Sequence, residues 1–134
     1  MPHLVLLYSP NLEADTDMTA LCRALADTML ALRDERDKPI FPIGGVRVLA
    51  YPAVHSAVAD GSHDAAFCYL NLRMARGRSV AAQHIAGEAL SNTARNHFAP
   101  VLARRALGLT LQIDEGPEVF DAKFGNLHGL FAKP

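Results

Sequence analysis

The same order of secondary structure occurs twice in this sequence, and this order limits the folds that the chain can adopt. An apolar strand-like run at residues 3–8 precedes an amphipathic helical segment, and the β-branched segment VRVLAYPAV follows it. The same order recurs further along the chain: the strand-like segment DAAFCYLNLRMA, a long helical segment after Ser79, and the strand-like segment LGLTLQIDE. A long helical crossover makes the two strands that it connects parallel neighbours in a sheet. The sequence therefore predicts two β-α-β units.

Apolar side chains recur at three- and four-residue steps in the first helical segment. They are Met18, Leu21, Cys22, Leu25, Met29 and Leu32. This spacing is typical of a helix with one buried face. Thr16 or Asp17 is suited to cap this helix, and Ser79 to cap the second one. Pro100 lies within the second helical pattern, where we expect it to kink the helix or to begin a separate turn.

Together, the two units predict a four-stranded sheet with both helices on one face. The pseudo-repeats cover residues 2–55 and 62–115, approximately, and residues 1–134 are expected to form a single domain. The tail FDAKFGNLHGLF is expected to form short C-terminal strands around its turn glycines. The other face of the sheet is left apolar and uncovered, and this uncovered face favours an oligomer.

Composition excludes several classes of function. Thirteen Lys and Arg residues nearly balance 14 Asp and Glu residues, which argues against a nucleic-acid-binding surface. Cys22 and Cys68 lie within apolar periodic segments, and no Cys, His and Asp cluster has ligand spacing, so we expect no disulfide and no metal site. The first apolar run is too short for a signal peptide or a membrane span. We therefore expect a cytoplasmic protein that does not bind membranes.

Five short motifs occur in a fixed order along nearly the whole chain. They are PH at positions 2–3, FPIGGVR at 41–47, ADGSHDAAF at 59–67, GRS at 77–79 and NLHGLF at 126–131. Each motif is unspecific alone, but the ordered set resembles the 5-carboxymethyl-2-hydroxymuconate delta-isomerase family of the tautomerase superfamily. The resemblance implies an α+β, tautomerase-like fold whose first and third strands are antiparallel neighbours. It also implies a turn at Asp60-Gly61 and a homotrimer.

The resemblance implies a cofactor-independent enzyme of aromatic catabolism. Its substrate would be the enol 5-carboxymethyl-2-hydroxymuconate, an intermediate of homoprotocatechuate degradation, and its product the 2-oxo-3-ene isomer. This reaction needs one group that accepts and then returns a proton. Pro2 matches the family's catalytic proline, because removal of Met1 would leave a free secondary amine. An α-amino group titrates at roughly pH 8, and burial near guanidinium groups should lower its pKa towards working pH.

Arg47 and Arg78 match the two arginines that the family uses to bind substrate. The substrate carries three carboxylates, and a guanidinium group binds one of them through two parallel hydrogen bonds. Arg78 also precedes a helix start, where exposed backbone N–H groups attract anions. His3 is a candidate supporting residue, whereas His63 and His128 are expected to have structural roles.

Two other interpretations stay open. The chain could be another enzyme with this fold, such as a phenylpyruvate-type tautomerase or a dehalogenase of unsaturated acids. A dehalogenase must position a water molecule with a carboxylate, and no residue is an obvious candidate for that carboxylate. The chain could instead be a non-catalytic trimeric binding protein. Retention of Met1 would favour this third interpretation, because the proline nitrogen would then be an amide.

Overall fold

A four-stranded mixed sheet forms the centre of the computed structural model, which describes residues 2–131. Its strands are β1 (His3–Tyr8), β2 (Arg47–Pro52), β3 (Ala66–Met74) and β4 (Leu107–Glu115). They lie in the order β2-β1-β3-β4. β1 is parallel to β2 and β3 is parallel to β4, whereas β1 and β3 are antiparallel. The predicted parallel pairs and the antiparallel central pair are therefore confirmed.

Two long helices connect the strands of the parallel pairs and pack on one face of the sheet. They are α1 (Met18–Ala31) and α2 (Val80–Leu102). The Asp17 carboxylate accepts a hydrogen bond from the Ala20 N–H at 3.0 Å, and the Ser79 hydroxyl accepts one from the Ala82 N–H at 3.0 Å. These side chains cap the two helices as predicted. Within residues 2–131, no helix is both long enough and apolar enough to cross a membrane.

The core lies between the helices and the covered face of the sheet. Alternate residues of β1 and β3, including Leu4, Leu6, Leu70 and Leu72, are fully or almost fully buried. The predicted stripe of α1 supplies Met18, Leu21, Leu25 and Met29, and α2 contributes Ala82, Ala86, Leu90, Ala94, Phe98 and Val101. Cys68 is buried in this core and Cys22 is half-buried, and both are free thiols. The small alanine side chains let α2 approach the sheet closely.

No helix covers the opposite face of the sheet within residues 2–131, and this surface is called the open face below. Leu7, Leu49 and Tyr51 on this face are 47%, 44% and 50% exposed, respectively. The Tyr69 hydroxyl donates a hydrogen bond to Gln112 Oε1 at 2.8 Å on the same face. The open face therefore combines large apolar side chains with satisfied polar ones.

The prediction of short C-terminal strands is wrong. Residues 116–131 contain no strand, and their one regular element is a helical turn, α3 (Leu127–Leu130). Gly125 and Gly129 leave only residues 126–128 between them and residues 130–131 after them, which are shorter than a typical strand of about five residues. The turn instead packs on the 3₁₀ helix Ile43–Gly45.

Pro100 lies inside α2 and does not begin a separate turn, since the helix continues to Leu102. A proline in the last turn removes only one backbone hydrogen bond. The next bond is present, because the Ala103 N–H donates to the Ala99 carbonyl at 3.1 Å. The end of the helix therefore tolerates this residue.

Candidate active site

Pro2 is buried at the start of β1, against the loop of residues 40–45, which we call the IFPIGG loop. A Cβ atom at Gly45 would lie 3.5 Å from Pro2 Cδ and 3.0 Å from Pro42 Cγ. A side chain at position 45 would therefore crowd the Pro42 ring and reach van der Waals contact with Pro2. The glycine lets the loop close over the residue that precedes β1.

Arg78 contacts the same loop from the start of α2. Its Nε–H donates to the Ile40 carbonyl at 3.0 Å, and Nη1 donates to the Ala75 carbonyl at 3.4 Å. The guanidinium carbon lies 4.9 Å from the ring centroid of the buried Phe41. Burial lowers the pKa of Arg78, but a guanidinium stays cationic at any physiological pH. The IFPIGG loop therefore contacts both Pro2 and Arg78.

Arg47 lies on the open face, next to His3. In the sheet register His3 is opposite Arg47 on β2 and opposite Arg73 on β3. Residues directly opposite each other project from the same face of a sheet. Desolvation, followed by the positive charge of Arg47, lowers the pKa of His3. A neutral imidazole between two cations therefore lies on the open face at neutral pH.

The structure groups the four residues singled out from the sequence into two pairs. Pro2 and Arg78 contact opposite ends of the IFPIGG loop, and Arg47 and His3 are neighbours on the open face. Alternation along β1 places Pro2 on the same side as the buried Leu4, whereas His3 faces the other side. The two pairs therefore approach the first residues of β1 from opposite faces of the sheet.

A cleft of about 650 Å³ opens beside Arg78. Such a volume suits a small organic ligand. Its charged lining consists of Arg36, Lys38, Arg76 and Arg78 with the two carboxylates Asp34 and Glu35. Cations outnumber carboxylates in this lining, so the cleft favours an anion.

Arg73 and Glu35 were missed by the sequence reasoning. The alternation of β3 carries a signal for Arg73, because Arg73 occupies an outward-facing position between the buried Leu72 and Met74. Its position opposite His3 depends on the strand register, which the sequence pattern does not determine. Glu35 lies in the charged run after α1, which indicates only the end of a helix. Its contact with Ser79 at the start of α2 forms only when distant parts of the chain pack together.

The other histidines of the matching motifs make local contacts. His63 Nδ1 lies 2.9 Å from the Ser62 hydroxyl in an exposed turn. A Cβ atom at Gly44 would lie 3.0 Å from His128 Nδ1, so α3 packs tightly there. Within residues 2–131, no group of three or more His, Cys, Asp and Glu residues is arranged to hold a metal ion.

Comparisons with known proteins agree over the whole chain. A family model described as 5-carboxymethyl-2-hydroxymuconate isomerase matches residues 2–131. The 5-carboxymethyl-2-hydroxymuconate Delta-isomerase of Escherichia coli is 31% identical over 131 residues, which are 98% of this chain and 99% of the relative.

Solved structures give the same result. A crystal structure of 5-carboxymethyl-2-hydroxymuconate delta-isomerase is 58% identical with a TM-score of 0.95, over 100% of this chain and 95% of the other. A 5-carboxymethyl-2-hydroxymuconate isomerase from Deinococcus radiodurans R1 is 36% identical with a TM-score of 0.86, over 98% and 95% of the two chains. A fused 4-OT, 19% identical with a TM-score of 0.51 over 98% and 99% of the chains, shares the fold alone.

The family match, the identity to the solved isomerases and the mixed sheet all agree with the resemblance seen in the ordered motifs. The tautomerase-like fold is likewise confirmed. The chain belongs to the 5-carboxymethyl-2-hydroxymuconate isomerase family, a family of enzymes.

Proposed function

We propose that this enzyme converts 5-carboxymethyl-2-hydroxymuconate to its 2-oxo-3-ene isomer in the degradation of homoprotocatechuate. The observation that carries the proposal is that a buried Pro2 and an oriented Arg78 contact one loop in a chain of this family. The anion-favouring cleft beside Arg78 supports a substrate with several carboxylates.

In the proposed reaction, Pro2 is the acid and base catalyst once Met1 has been removed. Its amine accepts the proton of the C2 hydroxyl, the two conjugated double bonds shift, and the same proton is returned to C5. The O–H bond at C2 breaks and a C–H bond at C5 forms, so no oxidant or cofactor is needed. A pyrrolidine nitrogen held in a fixed ring presents its lone pair in one direction, which favours this transfer.

Arg78 and Arg47 are proposed to bind substrate carboxylates and to stabilise the negative charge that develops on the C2 oxygen. Arg78 is already oriented by Ile40 and Phe41, and such preorganised donors contribute most to charge stabilisation. Arg47 lies on the open face, together with His3 as a supporting residue. We infer that the open faces of three subunits pack together, so that Arg47 acts at a subunit boundary.

We also propose that the protein works in the cytoplasm. Both cysteines of the described residues are free thiols, and free thiols are typical of reducing compartments.

Ketonisation of 5-carboxymethyl-2-hydroxymuconate, followed by ultraviolet absorbance, tests the proposal. The protein sample must show an intact mass without Met1. We expect fast, saturable conversion by the wild type and a kcat at least about a hundredfold lower for Pro2→Ala, since general acid and base groups contribute on this scale. Pro117→Ala, an exposed proline in the tail, is the matched control and should keep full activity.

Unchanged turnover in Pro2→Ala would contradict the assignment of Pro2. If the wild type with a free proline does not convert this substrate, a panel containing phenylpyruvate and 3-haloacrylates tests the other enzymes with this fold. A lack of turnover on the whole panel would favour a binding protein.

A further inference from the structure

The hairpin loop of residues 33–39 lies over the start of α2 and is fixed by its own hydrogen bonds. The Asp34 carboxylate accepts hydrogen bonds from the N–H groups of Arg36 and Lys38 at 2.9 and 3.0 Å. The Asp34 N–H donates to the Lys38 carbonyl at 2.8 Å. These bonds close the tip of the hairpin around Glu35 and thereby determine where Glu35 lies.

Glu35 contacts the N-cap residue of α2. The Ser79 hydroxyl donates to its carboxylate, with Oε1 and Oε2 at 2.8 and 2.9 Å. The same hydroxyl accepts from the Ala82 N–H at 3.0 Å. Ser79 directly follows Arg78, and both line the cleft described above. The carboxylate of Glu35 is therefore held at the residue that follows Arg78, in the cleft that both Glu35 and Arg78 line.

The two acidic residues of the cleft differ in what they bind. The oxygen of Asp34 is engaged by backbone N–H groups of its own hairpin, and these bonds, with that of Lys38 first, lower the pKa of Asp34. Glu35 instead binds a side-chain hydroxyl at the start of α2, in a cleft that Arg36, Lys38 and Arg76 also line. The negative charge of Glu35 therefore opposes the entry of an anion at this end of the cleft.

We propose that Glu35 is a specificity-determining residue whose carboxylate occupies the end of the cleft at the start of α2, where a substrate carboxylate has to enter to reach Arg78. An anionic substrate must displace Glu35 from Ser79 before it binds at this end of the cleft. This inference rests on the proposed function, because it takes Arg78 as a substrate-binding residue. Glu35 then raises the KM for anionic substrates without taking part in the proton transfer.

Glu35→Gln tests this proposal, because the amide keeps the size and the acceptor oxygen but removes the charge. We expect the KM for 5-carboxymethyl-2-hydroxymuconate to fall about two- to fivefold with kcat unchanged, the scale of one exposed charge interaction. The difference should shrink as salt is added, because salt screens exposed charges. Glu88→Gln removes the same charge from an exposed position further along α2 and should leave KM unchanged.

An unchanged or higher KM in Glu35→Gln would overturn the proposal. If that result came with a lower Tm, Glu35 would serve only to hold the hairpin on α2.

Calorimetric binding of tricarballylate, a stable tricarboxylate, separates this inference from the proposed function. Tighter binding by Glu35→Gln in a protein without ketonisation activity would keep the inference and reject the function. Equal binding by the wild type and Glu35→Gln, with normal wild-type turnover, would reject the inference and keep the proposed function.

Discussion

At the scale of single residues, Arg78 shows how local contacts prepare a charged side chain for binding. Two backbone carbonyls, those of Ile40 and Ala75, accept its N–H groups, and the Phe41 ring lies against its guanidinium. These contacts restrict the side chain before any substrate binds, which lowers the entropy cost of binding. A flexible side chain with one cationic nitrogen would not retain this arrangement.

Arg78→Lys is therefore expected to lower kcat/KM for ketonisation by about ten- to a hundredfold, because an ammonium lacks the planar fork that binds a carboxylate bidentately. Arg76→Lys is the matched control. Arg76 lines the same cleft, but its Nε–H donates to the Gly116 carbonyl at 2.8 Å. We expect the kcat/KM of Arg76→Lys to differ from that of the wild type by less than about threefold. Steady-state kinetics on both variants checks the prediction, and equal losses would mean that only the total charge of the cleft matters.

Some site residues could be predicted from the sequence alone, and others could not. Pro2, Arg47 and Arg78 stand within short motifs whose order along the chain is informative. Arg73 and Glu35 stand in ordinary strand and loop segments, and they join the site only through the sheet register and the docking of a hairpin on α2. Such long-range positions depend on packing, which local patterns do not determine.

At the scale of elements, the IFPIGG loop depends on the missing side chain at Gly45. An alanine there would place its Cβ 3.0 Å from Pro42 Cγ and 3.5 Å from Pro2 Cδ. Pro42 would have to shift within the loop that also contacts Pro2, and overpacking of this kind costs about 1–3 kcal/mol. We expect Gly45→Ala to lower both the free energy of unfolding and kcat, as measured by urea denaturation and by ketonisation.

Gly125→Ala is the matched control for this prediction. Gly125 lies in the tail, and a Cβ atom there meets no other atom within 4 Å. Its stability should stay the same or rise by about 0.5 kcal/mol, because alanine has fewer conformations than glycine to lose on folding. A normal kcat in Gly45→Ala would show that the loop does not position Pro2.

Local periodicity was enough to predict the four strands and the two long helices, because alternation and three- to four-residue spacing report directly which face is buried. The same reasoning failed for residues 116–131, where the glycines were taken as turns between strands and a helical turn formed instead. It also left the effect of Pro100 open, since a proline in a helical pattern can kink the helix or end it, and here the helix continues to Leu102.

At the scale of the whole molecule, the helices cover only one face of the sheet. Leu49 and Tyr51 stand on the open face and remain about half exposed, next to Val5 and Leu7 of the neighbouring strand. Contiguous exposed apolar side chains of this kind mark association surfaces. The proposed homotrimer would bury this face and bring Arg47 of each subunit close to a neighbouring subunit.

Leu49→Lys should therefore dissociate the proposed trimer, because an unpaired ammonium in a buried interface costs on the order of several kcal/mol. We expect light scattering coupled to size-exclusion chromatography to give a trimer mass for the wild type and a monomer mass for the variant at micromolar concentration. Ketonisation activity should fall with the trimer, since Arg47 would lose its place at the subunit boundary.

Leu102→Lys provides a control with the same change in chemistry. Leu102 is 43% exposed, compared with 44% for Leu49, but it lies at the end of α2 on the helix layer. A lysine near a helix C-terminus is favoured by the helix dipole, so this variant should remain trimeric and active. If the wild type is monomeric, or if Leu49→Lys keeps the trimer mass, the open face is not the subunit interface. If Leu49→Lys is monomeric yet fully active, Arg47 acts within its own subunit and the site is complete in one chain.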